Sequence, residues 1–168
     1  MDNIRARGKD HSMIPCANPK AQNFSYKNEI FEAIQRVFDS NWYILGKEVE
    51  LFEEEFSDFN SVSNTIGVGN GTDALQIALR ALNIGHGDEV ITTAHTAVAT
   101  ASAIFSVGAK PVFVDIENGL FTINPELIIN AITPKTKAII PVHIYGQACD
   151  MDSILEIASI ESISQACP

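Results

Sequence analysis

Residues 64–83 read NTIGVGNGTDALQIALRALN, and their interpretation decides the fold. The β-branched and glycine run at 65–68 ends in Gly69-Asn70-Gly71, and from Thr72 onward Leu75, Ile77, Ala78, Leu79 and Leu82 recur at helical spacing. The expectation is a strand that passes through a tight glycine turn straight into a helix. The amides of that helix's first turn lack intrahelical acceptors and carry the positive end of the helix dipole. They face the mouth of the turn as a phosphate cradle. Gly71 lets a ligand oxygen approach the main chain, and the Thr72 hydroxyl adds one donor.

Glycine turns before helices also occur where nothing binds, so the turn by itself leaves both readings open. A P-loop is excluded because no Gly-Lys-Ser/Thr follows. A dinucleotide fingerprint can be laid on Gly69, Gly71 and Ala74. The acids about twenty residues on, Asp88 and Glu89, precede the next strand instead of ending it, which puts them at the wrong end of the sheet.

Upstream, Ile30, Ile34, Val37 and Phe38 define a helix over 26–39 with Ser25 as its N-cap and Glu29 near its first turn. The segment NWYILG at 41–46 interrupts it. A second helix, 47–59, carries Val49, Phe52, Phe56 and Phe59 on one stripe, and its glutamates form a solvated face. Downstream, Gly85 and Gly87 close the central helix. Strands are expected at 90–93, 111–115 and 136–142, with helices at 96–107, after Asn124-Pro125, and at 151–158 capped by Asp150. This alternation predicts an α/β fold, a mainly parallel sheet flanked by helices, with the ligand site beyond the carboxyl ends of the strands. The turn at Gly69 and the loops at His95 and Tyr145 all belong to that edge.

The length of 168 residues suits one domain, able to bury roughly 70% of its unfolded surface. A net charge of −10 argues against nucleic acid or an anionic membrane as the partner. A phosphate here must be held by local backbone donors. No run approaches a membrane span and residues 1–13 lack a signal-peptide core, so the expected compartment is the cytoplasm and 1–13 read as a disordered leader or an upstream start. Cys16, Cys149 and Cys167 suggest neither a disulfide framework nor a metal site. After Ala158 the expected next strand does not develop, so 159–168 read as an aberrant or truncated end to a partial domain over 14–158.

Taken in order, the segments NWYILG with Glu48 and Phe52, GVGNGTDAL at 67–75, GDEVIT at 87–92, ATA at 99–101, TPKTKAIIPVH at 133–143, and YGQ at 145–147 with DMD at 150–152 resemble the DegT/StrS family of pyridoxal-phosphate-dependent sugar aminotransferases. The resemblance implies the large domain of a fold-type I enzyme with pyridoxal 5'-phosphate as cofactor. It further implies a nucleotide-linked keto-deoxysugar and an amino acid, glutamate, as small-molecule substrates, and a homodimer for the full-length protein. The family's Gly-Thr-Asp turn binds the cofactor phosphate, which carries over to Gly71 and Thr72. The ring-stacking aromatic aligns with Ala97, a departure that leaves His95 as the planar group nearest to it. The family's pyridine-nitrogen Asp falls on Ser162 and its ring-contacting Gln on Gln165. None of the seven lysines occupies the Schiff-base position, so no catalytic residue is assigned and the chain alone is expected to be inactive. The candidate cofactor-binding residues are therefore Gly71, Thr72, His95 and Gln165. His143 reads as a structural residue. The competing readings are a non-catalytic phosphate-ligand binding protein and a nucleotide-binding dehydrogenase.

Overall fold

The computed structural model describes residues 16–161 and 163–165. The chain divides into two units, Met1–Gly67 and Val68–Pro168.

In the first unit a helix that periodicity does not reveal, α1 (Pro19–Ser25), begins at Asn18, whose side chain accepts from the Ala21 amide at 3.2 Å. The expected N-cap at Ser25 is corrected: its hydroxyl donates back to the Gln22 carbonyl at 2.8 Å, closing α1, and α2 (Lys27–Ser40) begins after Tyr26 with no side-chain cap. Asn41 ends α2 in a left-handed conformation, and α3 (Lys47–Asn60) follows. Arg36 clasps the Glu48 carboxylate through two guanidinium nitrogens, at 2.7 and 2.9 Å, and so ties α2 to α3. The predicted apolar stripes exist, but neither α2 nor α3 contains a buried residue, and Phe38, Phe52, Phe56 and Phe59 are exposed.

The strand expected at 65–68 is not formed. The segment is held instead by α3 side chains, while β1 (Glu89–Thr93) pairs with β2 (Lys110–Val114) and β3 (Thr136–Ile139). The Gly67 amide donates to Glu53 Oε1 at 2.6 Å, and Ser57 bonds Thr65 at 2.8 Å.

The second unit is built on one parallel sheet of order β2-β1-β3-β4. Neighbouring strand residues point to opposite faces, and the core divides accordingly. Val90 and Ala138 pack with Leu75 and Leu79 of α4 (Gly71–Ala81) and with Ala103 and Ile104 of α5 (Val98–Ser106). Ile91 and Ile139 pack with Ile128 of α6 (Pro125–Ala131) and with Ile154 and Ala158 of α7 (Met151–Ile160). Helices thus cover both faces, and all five residues of β1 are buried.

Three details differ from expectation. Asn83, not Gly85, closes α4: it adopts φ 57, while the Ile84 amide reaches the Leu79 carbonyl at 3.0 Å and its own amide reaches Arg80 at 2.9 Å. β3 ends at Ile139; beyond it the Ile140 amide donates to the Ile91 carbonyl of β1 at 2.8 Å and its carbonyl accepts from the Thr92 hydroxyl at 3.0 Å before the chain turns. The strand not expected after Ala158 is present in short form as β4 (Ser164–Gln165), parallel to β3.

Candidate functional site

α4 ends only a short turn before β1, so the helix runs back along the sheet. Its eleven residues span about 16 Å, close to the length of the five-residue strand, and its amino terminus therefore returns to the carboxyl edge. There Asn70, fully extended, caps the helix by accepting from the Asp73 amide at 3.0 Å and donating to the Asp73 carboxylate at 2.8 Å. This clasp occupies the third amide and leaves those of Gly71 and Thr72, which have no intrahelical acceptor. Gly71 is exposed, Thr72 half-buried, and the position of a Cβ on Gly71 has no atom within 4 Å. An open cradle with two free amides and a hydroxyl suits an oxyanion.

The loops after β1, β2 and β3 bring three rings together at the same edge. His95 lies 6.3 Å from Phe121 at 85° and 5.9 Å from Tyr145 at 68°, both edge-to-face. Its amide is tied to Thr93 Oγ1 at 3.2 Å, whereas its imidazole Nδ1 is buried with no hydrogen-bond partner. Ala97 is exposed and is the N-cap residue of α5. No hydrogen bond or ring contact among the described residues joins Thr72 to His95; their relation runs through the packing of α4 on α5.

His143 accepts the Cys149 amide on Nδ1 at 3.0 Å, which agrees with a structural part in the turn after β3. The β4 ladder sets the Gln165 backbone beside Ile139, the last residue of β3, and Ser162 lies outside the described residues. Among the lysines of the second unit, Lys110 starts β2 and Lys135 and Lys137 flank the start of β3, all at the amino edge of the sheet. There Lys110 meets Glu89 at 3.0 Å. The Glu89 carboxyl is held below its usual range first by the Thr133 hydroxyl and then by the Lys110 ammonium. Lys9 falls outside the described residues. No group of three metal-ligating side chains occurs among the described residues, and no helix there is long and apolar enough to cross a membrane.

A family model, that of the DegT/DnrJ/EryC1/StrS aminotransferases, matches residues 25–164, and the chain belongs to that family. Among curated relatives, the UDP-2-acetamido-2-deoxy-3-oxo-D-glucuronate aminotransferase of Pseudomonas aeruginosa is 49% identical over 147 residues, covering 88% of this chain and 41% of the relative. The crystal structure of Streptomyces venezuelae DesV in complex with a ketimine intermediate superposes with a TM-score of 0.89 at 42% identity, over 92% of this chain and 42% of that one. Bacillus subtilis NtdA, solved with bound cofactor PMP, gives 0.83 at 36% identity, over 85% and 33%. The chain thus spans about two fifths of the length of such relatives.

Proposed function

We propose that this chain is the cofactor-phosphate-binding part of a pyridoxal 5'-phosphate-dependent aminotransferase acting on a nucleotide-linked keto-deoxysugar, with an amino acid such as glutamate as donor. The observation that carries the reading is the open helix end at Gly71 and Thr72 in a member of a family whose solved relatives include a PMP-bound enzyme. The residues fit the group. Two amides and the Thr72 hydroxyl would take the phosphate, and His95 and Gln165 are assigned to its ring. The bound cofactor would supply the electron sink for amino-group transfer. The chain itself binds and orients: Asn70 and Asp73 fix the helix end, and the backbone donors replace the lysines and arginines that the acidic composition does not provide.

The chain by itself is proposed to bind without turning over. The lysines of the second unit sit at the amino edge of the sheet, remote from the cradle at the carboxyl edge, and full activity requires a lysine and a pyridine-nitrogen acid at that edge. A homodimer and a cytoplasmic location accompany this reading, by likeness to biosynthetic sugar aminotransferases. Mixing the purified chain with pyridoxal phosphate, reducing with borohydride and mapping the peptides tests the inactive part. Diffuse, substoichiometric labelling is expected, and a single stoichiometric lysine adduct contradicts it.

A further inference from the structure

We propose that His95 contacts the bound ligand through a hydrogen bond from its Nδ1 to a ligand hydroxyl, and that Phe121 and Tyr145 are positioning residues that set its imidazole; this rests on the cofactor-site reading above. The loops after β1, β2 and β3 each contribute one ring, and the two neighbours meet His95 edge-to-face from separate loops. Phe121 and Tyr145 both hold left-handed backbones, φ 61 and 54, which is costly for bulky side chains and persists only where the surroundings impose it. Two strained aromatics therefore grip one imidazole, whose amide is pinned to Thr93.

What that grip leaves is a buried Nδ1 with no partner. Buried ring nitrogens are almost always satisfied, so an orphan held this firmly has a use once a ligand arrives. A neutral imidazole nitrogen either donates or accepts, and a hydroxyl answers both. Tyr145 is 88% exposed on a three-residue turn, Ile144–Gly146, so a change to its side chain reaches the imidazole without disturbing the sheet. The hydroxyl belongs either to the cofactor ring or to the sugar.

Titrations with pyridoxamine 5'-phosphate and with a UDP-linked N-acetylhexosamine separate the two sources. His95→Phe keeps a ring and removes the nitrogen, whereas His95→Asn keeps a polar atom near the place of Nδ1. At least tenfold weaker binding in His95→Phe, with His95→Asn within about threefold of the parent, is expected for the ligand that owns the hydroxyl. Tyr145→Leu is expected to weaken the same ligand and Tyr145→Phe to restore it, and both sit on an exposed side chain that leaves folding intact. If His95→Phe binds both ligands like the parent, or if Tyr145→Leu equals Tyr145→Phe, the inference is overturned. Loss of pyridoxamine phosphate binding in Thr72→Val, with His95→Phe binding both ligands like the parent, sinks the inference alone. A parent chain that binds no pyridoxamine phosphate removes the cofactor reading and the inference together.

Discussion

Glu89 shows how one buried side chain can look like a binding residue and serve another end. An acid some twenty residues beyond a glycine turn invites a dinucleotide reading, but in the structure Glu89 starts β1, 8% exposed, bonded to Lys110 at 3.0 Å and to the Thr133 hydroxyl at 2.7 Å. It joins the amino ends of three chain segments and faces away from the cradle. Because these partners favour the carboxylate, its folded-state pKa lies below the ordinary value of 4.5. A depressed carboxyl contributes stability that is present above the ordinary value and lost as the pH falls through it toward the folded-state value. Glu89→Gln is therefore expected to lower stability at neutral pH and to flatten the acid side of the profile below 4.5, as read by denaturant unfolding at a series of pH values. An unchanged acid limb contradicts this. At this scale the helix end at Gly71 and Thr72 is legible in the sequence, since helical spacing that begins right after a glycine turn marks it. The ring cluster was not. Phe121 and Tyr145 reach His95 through left-handed backbones in separate loops, and no local periodicity encodes such a meeting.

Among the elements, α4 forms where helical spacing predicts it, and its two ends are set by different rules. Asn70 opens it through a side-chain cap and Asn83 closes it through a left-handed residue. Asn70→Ala removes the cap and is expected to cost about 1 kcal/mol, measurable by urea unfolding. The same substitution frees the Asp73 carboxylate, which now bonds Asn70 at 2.8 Å, to approach the cradle. β1 is legible from its β-branched run and β3 from the apolar stretch that continues past it, while 65–68 has strand composition and is bonded to α3 side chains instead of to a strand. Composition reports what a segment tolerates; pairing depends on neighbours elsewhere in the chain. Ile139, fully buried on β3, contrasts with Phe59, 85% exposed on α3. Ile139→Ala is expected to lose about 2–5 kcal/mol, and Phe59→Ala to change stability by less than about 0.5 kcal/mol. Equal losses at the two sites would contradict the placement of the core.

At the scale of the whole molecule, the parallel sheet with helices on both faces gathers the α4 end and the three ring-bearing loops at one edge, where ligands of open α/β sheets bind. Fold and cofactor class were readable because they reside in ordered segments that this chain shares with relatives two to three times its length. The apolar faces of α2 and α3 were also readable as pattern, but not their exposure, which depends on what packs against them. The central claim is that main-chain amides at Gly71 and Thr72 hold the phosphate of the cofactor. Calorimetric titration of the chain with pyridoxamine 5'-phosphate and with pyridoxamine tests it most directly, because neither compound carries an aldehyde that surface lysines could trap. The phosphate form is expected to bind about tenfold more tightly or better, since an anion at a helix end is worth ~1–2 kcal/mol. Gly71→Ala, whose new Cβ meets no atom within 4 Å, is expected to leave folding intact and remove most of that difference. Equal affinity for the two compounds, or an unaltered preference in Gly71→Ala, would contradict the account.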